Sequence, residues 1–574
     1  MNVNSNESIA GLTGTSSVGV AIGSGATLTI SSASVSADLY TGVISGAGAL
    51  NKSGATTFNE ILAGANTYTG GTTVNGGLLI LTNTTGSGTG TGGITIGSSG
   101  TLQFGSASTT TSGSVSGAIV DNGNFNINLT VNSSLANAIS GTGNVRLTQL
   151  STLTFTGTNK TYSGNTFIGP SGAVIVDANA GAYSPNSTMK LSTGTTLDVN
   201  YNETIAGLIG NSGFAGNVSL GSSVNLIINN AVANTFQGVI SGSTGSLTIG
   251  GTGSSIFTGT DTYGGGSMIN SGATLQIGDG VTSNSSIAGA IVDNGTLVLN
   301  EDGSANVAFA NAISGTGAVS VLTGGMITLP NANTYSGGTT IYSGTVILTN
   351  STGSALGSGP VNITSSTPST IGSGGALIAN NSITGALTIG GGGKLFPGMF
   401  NSGASTFTPG TFSAPSATFA GNGLLYFFIN NATGTAGANW SLLNISGALN
   451  ITASNSAQFG ISINSVTAGN LAGSVVNFNP AQSYSWMIAN TTGGITGFNS
   501  NAFLLTTASF GSNPGFANSL GTGSFFVSQV GNNLFLNFTP VPEPSTWGLL
   551  LAGTALLATG ALRRRKLIGR GQSR

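Results

Sequence analysis

Residues 64–77 read GANTYTGGTTVNGG, and the core of that stretch returns three more times. It is NTYTGGTTV at Asn66–Val74, KTYSGNTFI at Lys160–Ile168, DTYGGGSMI at Asp261–Ile269 and NTYSGGTTI at Asn333–Ile341. Each copy holds a tyrosine, a glycine corner and a short run into a β-branched residue. A unit of this size cannot bury its apolar face alone and needs stacked neighbours. Longer matches surround it. VNSNESIAGL at Val3–Leu12 recurs as VNYNETIAGL at Val199–Leu208, and GVISG at Gly42–Gly46 recurs at Gly238–Gly242, both 196 residues later. AIVDNG at Ala118–Gly123 recurs at Ala290–Gly295, and NAISGTG at Asn137–Gly143 recurs at Asn311–Gly317. The tyrosines are unequally spaced, so the array is ragged and carries insertions.

The units share one grammar. Stretches such as ATLTI (Ala26–Ile30) and GTVILTN (Gly344–Asn350) alternate apolar and polar residues at period two. Gly, Asn, Ser and Thr form the corners between them. The expected fold class is therefore all-β: a right-handed parallel β-helix, or solenoid, of irregular repeats over residues 1–400. At roughly 20 residues per rung and about 4.8 Å between rungs, residues 1–420 would make a rod on the order of 100 Å long. Only 4% of residues are charged. That suits stacking, because like charges in register repel, whereas Asn, Thr and Ser can form hydrogen-bond ladders. The repeated tyrosines have two readings, an exposed ligand-stacking row or corner anchors packed inside. Their unequal spacing favours the anchors.

GANTYTGGTTVNGG, with GVISGAGALNKSG (Gly42–Gly54) before it, resembles the autotransporter-associated beta-strand repeat, and LTNSTGSALGSGPVNI (Leu348–Ile363) looks like the segment that follows such repeats. The resemblance covers about residues 1–400 and implies a passenger-type β-helix. It does not imply a complete autotransporter, since an outer-membrane barrel would need a long C-terminal run of alternating strands.

Residues 401–540 are richer in aromatics. GLLYFFINN (Gly423–Asn431) reads as a buried strand, and FFVSQVGNNLFLNF (Phe525–Phe538) as a hairpin around Gly531-Asn532-Asn533. The segment is expected to be a β-rich cap closing the solenoid edge, with a small separate β-sandwich as the alternative.

At 541–566 the chain reads VPEPSTWGLLLAGTALLATGALRRRK. Pro542-Glu543-Pro544 precedes an uncharged run, Trp547–Leu562, which ends on Arg563, Arg564, Arg565 and Lys566. Sixteen residues of helix span roughly 24 Å, a short but usable transmembrane helix. The basic cluster is the topology stop, and residues 567–574 follow it as a cytoplasmic basic tail. This order resembles the PEP-CTERM sorting signal of bacterial surface proteins. The resemblance implies a membrane-embedded exosortase with a thiol nucleophile, which recognises Pro542, Glu543 and Pro544 and cleaves nearby. It also implies export through secretion machinery, transient anchoring in the inner membrane, and delivery to the cell surface or extracellular matrix. The prolines would hold the site extended, and Glu543 is the charge available there for recognition.

The rest of the chain offers little chemistry. Of the 11 Lys and Arg, six fall at or after Arg563, and all 13 acids precede the apolar run. An acidic body with five scattered cations has no patch for phosphate backbones, so no nucleic-acid partner is expected. There is no His and no Cys. That removes the usual nucleophile–base triads, disulfides, and Cys/His metal or heme sites. No cofactor, metal or catalytic residue is expected. Carboxylate pairs remain as a route to polysaccharide cleavage. The nearest are Glu301 with Asp302, and Asp261 with Asp279, which are expected to be lone solvated acids. Asp121-Asn122-Gly123 and Asp293-Asn294-Gly295 read as type I′ turns. Because Val3–Leu12 matches an interior segment, the chain is expected to begin mid-repeat, truncated, with a signal peptide upstream.

Two function classes follow. One is an exported structural or adhesin-like surface protein with exopolysaccharide as a partner of its matrix. The other is a polysaccharide-active β-helix enzyme. A permanently membrane-anchored surface protein is a narrower variant of the first.

Overall fold

A computed structural model describes residues 1–541 except 16, 18, 33–36, 56–58, 108–112, 211–214, 282–284, 305, 368–369, 402 and 510–513, together with 552 and 555–557. The chain is all-β, about 1% helical, and coils as a parallel β-solenoid of about 17 turns. It divides into two compact units, Met1–Thr339 and Thr340–Arg574.

In the first unit each strand lies beside the strand one rung on. Leu50 pairs with Thr72 and Thr72 with Ile94, so one rung there takes 22 residues. Val145 pairs with Thr166 and Thr166 with Met189 in the same parallel sense. Period-two alternation does what it predicts. In Thr152–Phe155, Leu153 and Phe155 point inward, while Thr152 and Thr154 stay half-exposed. The inward columns build one apolar core: Leu28, Ile30, Val74, Leu102, Phe125, Val145 and Leu197 are all essentially inaccessible. At about 25 cal/mol per Å² of apolar surface, burial of such columns is the main stabilising term.

The long repeats become intelligible as stacked neighbours. Ile119–Asp121 pairs with Ile139–Ser140, and Ile291–Asp293 with Ile313–Ser314. AIVDNG and NAISGTG therefore recur together because one sits on the other. Gly143 N–H donates to Asp121 O at 2.7 Å, and Gly317 N–H to Asp293 O at 2.7 Å. Gly141 and Gly315 take φ of 102° and 105°, and a Cβ on either would stand 2.1 Å from the aspartate carbonyl oxygen below. Positive φ and this close approach together require glycine.

The Asp-Asn-Gly segments are not type I′ turns. Gly123 and Gly295 do not adopt positive φ, and neither does Asn122 or Asn294. The strands on either side of Asp121-Asn122-Gly123 both run parallel to Ile94–Phe104, so the segment bends one rung instead of reversing it. The aspartate folds over the corner: Asp121 Oδ1 accepts Gly123 N–H at 2.9 Å, and Asp293 Oδ1 accepts Gly295 N–H at 3.0 Å.

In the second unit Leu387–Ile389, Ala417–Phe419 and Leu449–Ile451 stack in parallel, so parallel coiling runs past residue 400. Leu424–Ile429 is buried at all six positions, covered on both faces. Phe419 stacks on Phe459 at 4.3 Å between ring centroids. Antiparallel pairing enters with Ser524–Val530 and Asn533–Thr539, a hairpin turning at Gly531-Asn532 with Gly531 at φ 57°. The second hairpin strand also pairs antiparallel with Tyr484–Thr491.

Candidate functional site

The four tyrosine units place their side chains alike. Tyr68, Tyr162, Tyr263 and Tyr335 are at most 1% exposed, so they are corner anchors and not a ligand-stacking row. Each hydroxyl pairs with the hydroxyl four residues on: Thr72 at 2.5 Å, Thr166 at 2.6 Å, Ser267 at 2.6 Å and Thr339 at 2.5 Å. A buried phenol needs such a partner. The sequence carries the signal, since the fourth residue after each tyrosine is Thr or Ser.

The first residue of the unit reaches one rung back. Asn66 Oδ1 accepts Ile44 N–H at 2.7 Å, Asp261 Oδ1 accepts Ile240 N–H at 2.7 Å, and Asn333 Oδ1 accepts Ile313 N–H at 2.8 Å. Those isoleucines all belong to ISG triplets. At Lys160 the residue type cannot accept. Ile139 N–H turns to Asn159 O at 3.1 Å, and Lys160 Nζ donates to Gly157 O at 2.8 Å. Asn66 also donates from Nδ2 to Gly88 O at 2.6 Å, whereas Asp261 Oδ2 is buried without a partner.

Of the four acids expected to be solvated, Asp279 and Asp302 are partly exposed but Asp261 and Glu301 are buried, as are further acids of the body. Asp261 and Glu301 are each 3% exposed, and Glu60, Asp121, Glu203 and Asp293 are no more exposed. They take up main-chain N–H groups that corners leave outside the ladders. Glu203 accepts from Ala182 at 2.9 Å and Tyr183 at 3.1 Å, Glu301 from Ser285 at 3.2 Å, and Asp177 from Asn200 at 2.6 Å and Tyr201 at 2.9 Å. Burial lifts Asp261, Glu203 and Glu301 to about 7, the N–H donors working against the rise. Burial also lifts Glu60 to about 8. Asp261 and Glu301 lie outside the strands, where no alternating neighbours show which way they face, whereas Glu60, Asp121, Asp177, Glu203 and Asp293 fall on the inward phase of short strands.

The two carboxylate pairs differ in how closely their members are coupled. Glu301 feels the charges of Asp302 and Asp279. Asp261 is shifted by burial and the Ile240 N–H, without a contribution from Asp279. Asp302 and Asp279 hold turns, accepting from Ser304 N–H and Val281 N–H at 3.0 Å each. Among the described residues no group of three or more acids is placed to hold a metal ion.

The C-terminal segment is the other candidate. Pro542, Glu543, Pro544, Trp547, Arg563, Arg564, Arg565 and Lys566 lie outside the described residues. Ala552 and Ala555–Leu557 are helical, and Leu556 and Leu557 are 73% and 76% exposed. No helix among the described residues is long and apolar enough to cross a membrane.

Comparison with known proteins bears on this segment. Residues 540–566 match the family described as the PEP-CTERM protein-sorting motif. No curated protein matches the chain. The chain thus carries at its C-terminus the sorting signal recognised by exosortase, the mark of an exported, surface-directed protein. The parallel solenoid is consistent with the resemblance of residues 1–400 to autotransporter-associated repeats.

Proposed function

We propose that this is a non-catalytic structural or adhesin-like protein of the bacterial surface or extracellular matrix. Its solenoid is the displayed body, and its tail is removed by an exosortase at or near Pro542-Glu543-Pro544. The sorting motif at 540–566, behind an all-β body, carries the reading. The body supports the non-catalytic part: its recurrent tyrosines and buried acids are occupied holding neighbouring rungs together. Trp547–Leu562 anchors the precursor transiently in the inner membrane, and Arg563–Lys566 halts translocation.

Mass spectrometry of the surface fraction tests processing. Mature protein should lack peptides from Leu556–Arg574, and changing Pro542, Glu543 and Pro544 to Ala should strand full-length chain in the inner membrane. Tail peptides in surface material would make the segment a permanent anchor and refute processing.

A further inference from the structure

The body holds five Lys and Arg, and the fold treats them in two ways. Lys52, Lys160 and Lys394 turn their ammonium groups onto main-chain carbonyls: Gly76 O at 3.2 Å, Gly157 O at 2.8 Å and Gly372 O at 3.3 Å. Arg146 and Lys190 make no hydrogen bond or ion pair to the described residues, and both are half-exposed on the outer face. They share one column. The parallel register sets Asn126 beside Arg146, Arg146 beside Phe167 and Phe167 beside Lys190. The Arg146 guanidinium lies 3.9 Å from the Phe167 ring centroid, and Lys190 Nζ lies 5.3 Å from it. One aromatic ring therefore spaces and aligns two cations that stand two rungs, or about 10 Å, apart.

We propose that the outward column Arg146–Phe167–Lys190 binds an acidic polysaccharide, each cation pairing with a carboxylate or sulfate on a different sugar. The ring does not serve as a sugar platform, because cations already occupy its surroundings; it holds the two charges apart and facing outward. Beside it Asn144 and Asn165 form an amide step, Asn165 N–H donating to Asn144 Oδ1 at 3.0 Å, a surface suited to sugar hydroxyls. Densely charged partners fit less well. The 13 acids ahead of the apolar run outnumber the five cations there, which opposes approach of a phosphate backbone. Two cations alone give an anionic membrane little to hold, since such surfaces are gripped by clusters of four or more. A glycan with spaced charges meets the pair without meeting the whole field.

This inference rests on the surface reading only for where the ligand is encountered, so binding is measured on purified full chain in uncharged detergent, whatever its processing. The probe is hyaluronate, whose carboxylates fall on alternate sugars, with dextran as the neutral polymer and phosphatidylserine vesicles as the anionic surface. The chain should bind hyaluronate and not dextran. Arg146→Gln with Lys190→Gln should weaken binding roughly tenfold, the loss of two exposed charge pairs. Arg146→Lys with Lys190→Arg should retain most of the affinity, and circular dichroism should be unchanged in both. Undiminished binding by the Gln pair, equal binding of dextran, or a response to the Gln pair confined to vesicles would each overturn the proposal.

Discussion

Replacing Asp261 by Asn should stabilise this protein at neutral pH and do little in acid. Asp261 is 3% exposed, its Oδ1 accepts Ile240 N–H at 2.7 Å, and its Oδ2 is buried with no partner. The matching residue of the first unit, Asn66, fills both roles, accepting Ile44 N–H and donating to Gly88 O at 2.6 Å. Burial raises the Asp261 carboxyl from 3.8 to about 7. At about 1.4 kcal/mol per unit, ionised Asp261 costs on the order of 4 kcal/mol above that value. Below 3.8 both folded and unfolded chains hold the proton and the cost is absent. It grows as pH rises, because the unfolded chain releases the proton first, and it is complete once the folded carboxyl ionises near 7. Asn keeps the acceptor, restores a donor and never ionises. Asp261→Asn should therefore gain about 2–4 kcal/mol at pH 8.5 and close to nothing at pH 4. Urea unfolding by circular dichroism at pH 4, 6 and 8.5 reads the difference, and hydrogen exchange of the Ile240 amide localises it. A loss of stability at pH 8.5, or a gain independent of pH, would refute the reasoning.

Other outcomes follow from the same contacts. Tyr68→Phe removes the hydroxyl pair with Thr72 and should cost about 1 kcal/mol, whereas Tyr68→Ala should cost about 3–5 kcal/mol by opening a cavity; equal effects in urea unfolding would mean the ring is not packed as described. The wild-type body should be more stable at pH 5 than at pH 8.5, since burial raises Glu203 and Glu301 to about 7 and Glu60 to about 8, and stability held by raised carboxyls is lost as pH rises through those values. Lys52 and Lys160, lowered by burial to about 8, begin to add stability as pH rises through that value, and so offset only a small part of the loss at pH 8.5. A urea midpoint that falls on acidification would contradict this. Purified protein should release no reducing ends from acidic or neutral glycans; activity abolished by Asp261→Asn or Glu301→Gln would overturn the non-catalytic reading.

Much of the architecture was legible because repetition and period two act locally. The alternation in Thr152–Phe155 gives the inward face directly, and the tyrosine units announce both the anchor and its Thr or Ser partner. The hairpin at Ser524–Thr539 and the buried run Leu424–Ile429 were equally plain. Corners were not. Asp-Asn-Gly has the composition of a reversing turn, and nothing within three residues says that both flanking strands run parallel to one neighbour. Nor does a lone acid reveal that a main-chain N–H waits one rung away, as at Asp177 for Asn200 and Tyr201. The sorting motif was legible as order alone, proline pair, apolar run and cations, because its recognition depends on a short linear segment.

The ragged first position of the tyrosine unit shows what kind of change such a body tolerates. Asn, Lys, Asp and Asn occupy it in turn, and the Ile N–H one rung back is satisfied every time. Where the side chain accepts, it takes the bond itself; where it is Lys160, the preceding carbonyl of Asn159 takes over. The constraint is thus on satisfying a buried donor, not on a residue type. An enzyme site would be far less permissive, because catalysis needs one group at one place and a defined charge. A displayed scaffold needs only that each rung closes on the next.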